Sequence, residues 1–211
     1  MFDLVFCADE KKKNEFRQQG KKLRFENVYF IEHFKGLKES NADVSLIVAK
    51  NKQDLSNQVS KASILKKPIF VLGSDDEVNR AALENKKVSC LLSPEYERKK
   101  DFMHSRNSGL NQVLCKIAVK NNAAIGVNFN GLHEDKKEAA LRLGRIIQNI
   151  RFCSKYKVKV LIASFSAKPE EMVSAYDLRS FCSAIGMNTK MAKEALLVLE
   201  KIVSKQVIKF K

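Results

Sequence analysis

The sequence predicts an α/β fold: a TIM-barrel-like (β/α) barrel, irregular in outline. Three observations point there. Short apolar runs alternate with longer amphipathic ones along the 211 residues, the pattern of repeated βαβ units. The short runs are continuously hydrophobic, as parallel strands buried on both faces are. No glycine-rich turn follows the first strand, where "VFCADEKK" stands, which disfavours a dinucleotide-binding sheet. An open doubly wound sheet without that site also fits; the barrel is the preferred reading.

The elements follow in order. Residues 2–6 give the first strand, and Asp9 opens a lysine-rich helix over 9–19. Strands at 28–33 and 44–49 come next, and the intervening 34–43 are too few for a crossover helix. That shortage is what makes the barrel irregular. A helix over 53–66 leads to a strand at 69–72. Asp75 and Asp76 stand in the first turn of a helix over 75–86, where the helix dipole favours acids. A strand at 88–92 feeds the longest loop, 93–107, and then a helix over 109–121 with Asn107 or Ser108 as its cap. A strand at 124–129 precedes a long helix over 134–156, whose stripe is Ala139, Leu143, Ile146, Ile150 and Cys153. Gln148, Arg151 and Lys155 fall on its outer face. A strand at 158–164 and helices over 176–185 and 190–204 complete the chain, which reads as one domain over 1–211.

Charge narrows the class. The formal net charge is +15, an excess that attracts polyanions: nucleic acid first, an anionic membrane surface second. Solubility alone is the plainer explanation. The cations are dispersed, which suits a charged folded surface and not a basic tail. Five cysteines form no CxxC pair, so they read as small core residues in a reducing, cytoplasmic setting. No apolar run approaches the roughly 18 residues of a membrane span, and the N-terminus carries no evident targeting segment.

Catalytic chemistry is sparse. Three histidines, His33, His104 and His133, form neither an HxH nor an i, i+4 pair, so a metal-dependent phosphoesterase on this barrel is the weaker alternative. The 93–107 loop leaves a strand at its carboxyl end, where ligands of both folds gather. It carries Arg98, Lys99, Lys100 and Arg106 ahead of a helix N-terminus. That arrangement serves either as a cap alone or as a phosphate contact. Arg142, Arg145 and Asn149 flank the apolar stripe of the long helix; the arginines either cover the core edge or meet nucleic acid. Lys201, Lys205, Lys209 and Lys211 follow the last acid, Glu200.

The segments "HSRNSGLNQVLCKIAVKNNAAIGVNFN", "LGRIIQNIRFCSKYKVKVLIAS", "SAYDLRSFCSAIGM" and "MAKEAL" occur in that order. Together they resemble the ribonuclease P protein component 3 family, the 30-kDa-class protein subunit of RNase P, in its archaeal form. The resemblance is strongest over 98–193. It implies a barrel related to the polymerase-and-histidinol-phosphatase phosphoesterases and a part in removing the 5′ leader from precursor tRNA. It also implies that catalysis, with its magnesium, belongs to the RNA subunit, so this chain needs no cofactor or catalytic residue. The implied partners are RNase P RNA, precursor tRNA in the holoenzyme and other protein subunits, especially a small α/β one, with no membrane. Arg106, Ser108, Gly109, Leu110 and Asn111 match the family's RNSGLN segment, and Tyr176, Asp177 and Gly186 a later one. Val173 and Ala175 stand where members often carry an arginine and a proline. The residues expected to contact RNA are Arg98, Lys99, Lys100, Arg106, Ser108, Asn111, Arg142, Arg145 and Lys168.

Overall fold

The structure, a computed structural model, describes residues 1–7, 9–37, 41–97, 100–132 and 136–209. Its seven strands are β1 (Phe2–Phe6), β2 (Asn27–His33), β3 (Val44–Ile47), β4 (Ile69–Leu72), β5 (Val88–Leu92), β6 (Ala124–Asn128) and β7 (Val160–Ala163). They pair in sequence order and all in parallel. The helices are α1 (Glu10–Lys22), α2 (Lys52–Ala62), α3 (Asp76–Glu84), α4 (Gln112–Asn121), α5 (Lys136–Tyr156), α6 (Ala175–Ala184), α7 (Thr189–Ala195) and α8 (Val198–Lys209). No helix lies between β2 and β3 among the described residues, as the short 34–43 connection requires. No helix among the described residues is long and apolar enough to cross a membrane.

The sheet closes on itself. Just past β7, the Phe165 amide donates to the Leu4 carbonyl and the Phe6 amide to the Ser166 carbonyl, both at 2.9 Å. Asp3 fastens this seam from inside. Its Oδ1 accepts from the Ser164 amide at 2.7 Å and from the Leu4 amide at 2.9 Å, and its Oδ2 from the Ser164 hydroxyl at 2.6 Å. Burial pushes the Asp3 carboxyl up to about 6, against the pull of the Ser164 bonds.

Strand residues facing inward, among them Leu4, Ile31, Leu46, Phe70, Cys90, Leu92 and Leu161, fill the barrel. At Gly126 a Cβ would lie 2.9 Å from both the Cys90 sulfur and Leu92 Cδ1, so this interior position admits only glycine. The opposite strand faces pack beneath the helices, where Phe16, Leu55, Val78, Ile146, Ile150 and Leu178 are buried. All five cysteines are buried free thiols.

Three local expectations are corrected. The helix expected over 190–204 is two helices, with a turn at Leu196 and Leu197. Ala192 and Ala195 belong to the outer layer, whereas Val198 and Leu199 join the barrel interior, so the chain must turn to serve both. Asp75 is the cap of α3, accepting from the Val78 amide at 2.7 Å, and not a first-turn residue. The cap of α4 is Asn111, treated below.

Asp3→Ala strips two backbone amides and a hydroxyl of their acceptor in a dry site. It is expected to cost about 3 kcal/mol of unfolding free energy. Asp3→Asn retains one carbonyl oxygen and is expected to cost clearly less; urea denaturation of both variants measures this.

Candidate nucleic-acid interface

The described residues of 93–109 leave the carboxyl end of β5 and lie against α3 and α5. Two buried asparagines hold the limbs of this loop together. Asn79 of α3 donates through Nδ2 to the carbonyls of Pro94, at 3.1 Å, and Gly109, at 3.2 Å. Asn149 of α5 donates to Glu95 Oε2 at 3.3 Å and to the Ser108 carbonyl at 3.0 Å. Just before it on α5, Gln148 brackets Arg106, accepting from its amide at 3.2 Å and donating to its carbonyl at 2.9 Å. Gln148 is therefore a loop anchor, and the outer-face expectation for it is corrected.

Asp101 organises the tip. Its Oδ2 accepts from Arg106 at 2.8 Å, and its Oδ1 from Arg145 Nε at 2.8 Å and the Asn107 amide at 3.0 Å. Burial raises this carboxyl, yet the bonds from Arg106, Arg145 and the Asn107 amide outweigh it and hold it down at about 2. The two arginines differ in setting. Arg145 is 6% exposed and Arg106 is 47% exposed. Gly144 makes room for the latter: a Cβ there would lie 3.2 Å from the centre of the Arg106 guanidinium.

The expected RNA contacts divide accordingly. Lys100 and Arg106 are exposed on the loop. Ser108 is buried, its hydroxyl accepting from Gln148 at 2.9 Å. Asn111 caps α4, its Oδ1 accepting from the Val113 and Leu114 amides at 2.9 and 3.0 Å; neither Asn107 nor Ser108 does so. Arg142 lies 5.4 Å from the Tyr96 ring centre and donates to the Gly131 carbonyl, while Arg145 faces inward. Lys168, after β7 on the same end of the barrel, is 72% exposed and 3.8 Å from Glu171. Arg98 and Lys99 lie outside the described residues, as do His133 and the side chains of Lys205, Lys209 and Lys211. Asp101 and Gln148 carry the site without having been singled out for it, and Asn149, expected as a flank of the apolar stripe, joins them. The sequence signal is that Gln148 and Asn149 follow Gly144 and Arg145 by a helical turn, while Asp101 is the acid nearest Arg106 in a loop that also holds Glu95 and Glu97.

The ring of Phe6 stacks on His33 at 5.6 Å and meets Phe165 at 6.2 Å across the barrel mouth. Among the described residues no three His, Cys, Asp or Glu side chains are grouped to hold an ion.

Residues 25–209 match the family model described as RNase P subunit p30. The chain belongs to that family. Ribonuclease P protein component 3 of Methanosarcina mazei is 31% identical over 167 residues, covering 76% of this chain and 64% of that protein. Its counterpart in Methanocaldococcus jannaschii is 31% identical over 118 residues, or 56% and 48% of the two chains. The chain thus spans a little under two thirds of the length of the first of these p30-family relatives. The fold matches a chain in a cryo-EM structure of archaeal ribonuclease P with mature tRNA. That match has a TM-score of 0.82 and 22% identity, and covers 99% of this chain and 92% of the other. A. niger ochratoxinase is more distant, with a TM-score of 0.56 at 12% identity over 77% of this chain and 40% of its own.

Glu95, pressed beneath α5, leaves Oε1 without a partner, as Asn149 leaves Oδ1. Burial pushes the Glu95 carboxyl up to about 7, while its own amide, Arg142 and Asn149 pull it down. Between the ordinary 4.5 and about 7 the folded chain keeps a proton that the unfolded chain has released. Stability therefore falls as pH rises through that window and is level above it. Glu95→Gln is expected to raise Tm by about 5 °C near pH 8 and to lose that advantage near pH 4, as thermal melts at both values would record.

Proposed function

We propose that this chain is an RNA-binding protein subunit of ribonuclease P. It binds and activates the catalytic RNA that removes the 5′ leader from precursor tRNA, and carries no catalytic centre or cofactor of its own. Magnesium belongs to the RNA. Its partners on this reading are RNase P RNA, precursor tRNA within the holoenzyme and the other protein subunits, a small α/β one foremost, in the cytoplasm. Family membership supports the reading, and one observation carries it at the level of residues. The RNSGLN loop is fixed to α5 from within while Lys100 and Arg106 face solvent.

The physics is consistent with that task. An activating subunit needs backbone neutralisation more than base reading. Cations on a pre-ordered loop meet phosphate with less loss of side-chain freedom than cations on a flexible tail. A stand-alone phosphoesterase is not favoured, since the rings of Phe6, His33 and Phe165 occupy the mouth where ligands would converge.

Reconstitution of pre-tRNA cleavage from RNase P RNA and partner subunits, with and without this chain, tests the proposal; cleavage indifferent to the chain refutes it. Within that assay Arg106 and Arg145 are expected to separate. Arg106→Ala should weaken RNA binding and lower the steepness of the salt dependence by about one phosphate's worth, with little change in Tm. Arg145→Ala, which leaves Asp101 without its inner partner, should cost about 3 kcal/mol of stability instead. Salt titrations of binding, paired with melts, measure both.

A further inference from the structure

The tip of the 93–109 loop exposes an aromatic ring and a thioether. Phe102 is 60% exposed and Met103 is 92% exposed. They sit in a tight turn closed by the Phe102 amide donating to the Ser105 carbonyl at 2.9 Å. The turn is not loose. Asp101, immediately before it, is tied to Arg106, Arg145 and the Asn107 amide, and the Asn107 side chain donates to the Lys100 carbonyl at 3.1 Å. The loop thus spends its internal bonds on holding an aromatic ring and a thioether outward.

We infer that Phe102, backed by Met103, is a stacking platform for an unpaired base of the RNA that this chain binds. The inference rests on the RNA-binding reading above and adds a contact of a different chemistry. An aromatic face stacks on any base released from a helix, and a rigid ring loses little freedom in doing so. The surroundings favour RNA over a protein partner. Lys100 and Arg106 flank the ring within a few residues, and the carboxylate beside it in the chain, Asp101, is already engaged by two arginines. A flanking phosphate would meet these cations while the base meets the ring. A protein-docking surface instead needs an apolar patch with few charges at its centre, and here the apolar residues are two, with Lys100 and Arg106 within four residues of them in the chain.

The chain contains no tryptophan, so Phe102→Trp makes a single fluorescent reporter at the tip. The variant is titrated with RNase P RNA, with a perfectly paired RNA duplex as control, while binding is followed independently by gel shift. The expected result is wild-type affinity and quenching of the indole in step with binding to RNase P RNA, but not to the duplex. Phe102→Ala is expected to bind about tenfold more weakly, with an unchanged salt slope because no cation is lost, and with an unchanged Tm. RNA that binds without quenching the indole, and as tightly to Phe102→Ala, overturns the platform while leaving RNA binding intact. An indole that responds only when the other protein subunits are added assigns the tip to a protein contact and overturns it too. RNA that binds none of the variants, nor the parent, removes the RNA-binding reading itself, and the platform with it.

Discussion

A parallel sheet has two edges of unpaired backbone, and this fold depends on how those edges meet. The seam is short: two backbone bonds join β1 to the stretch just past β7. Asp3 makes it sufficient. Its carboxylate accepts from both sides of the seam, Leu4 on one and Ser164 on the other, where no water competes. Such a bond in a dry interior matters less for its own strength than for the cost of leaving its donors unmet. Once the seam is shut the interior is settled. Side chains fill the barrel, α8 lies by the amino ends of β6 and β7, and aromatic rings crowd the carboxyl mouth.

A barrel so filled offers its surface loops as working parts, and one of them is built with unusual care. Asn79 and Asn149 each reach both limbs of the 93–109 loop, so neither limb moves without the other. Asp101 then sorts two arginines by direction: Arg145 on the inner side anchors the carboxylate, and Arg106 on the outer side remains half in solvent. The cost of this arrangement is local. Glu95 is confined under α5 with an unpaired oxygen, and its carboxyl is pushed toward neutrality.

Much of this was legible in the sequence, for physical reasons. Parallel strands buried on both faces must be apolar throughout, so β1 to β7 announce themselves at nearly their true limits. The lack of space in 34–43 foretold the missing helix. The candidate loop and Arg106 were also visible, because a basic run after a strand end is rare. What stayed hidden is whatever depends on a second element. RNSGLN offers Asn107, Ser108 and Asn111 as caps. Gly109, with φ of 71°, turns the chain so that Leu110 is buried first and the helix starts after Asn111. Gln148 looked outward because a helix's own stripe does not reveal a loop lying over its flank. The break at Leu196 and Leu197 was invisible because one apolar rhythm continues while its residues pass from the outer layer to the barrel interior.

The same division explains why a total charge of +15 overstates what the molecule offers to a polyanion at this site. A guanidinium buried against Asp101, as in Arg145, or laid over Tyr96, as in Arg142, is committed to the fold and releases few counterions on binding. Among the described candidates, Lys100, Arg106 and Lys168 are the cations that stand in solvent. Their contribution to binding on the reading proposed above must fade as salt screens it. Phe102 stands among them and depends on no charge, since stacking and burial of a ring are nearly indifferent to ionic strength. On that reading, a loop that carries both kinds of contact on one fixed base would hold RNA in two separable ways: a long-range one that gathers phosphates, and a short-range one that persists in salt and acts only where a base is free to leave its helix.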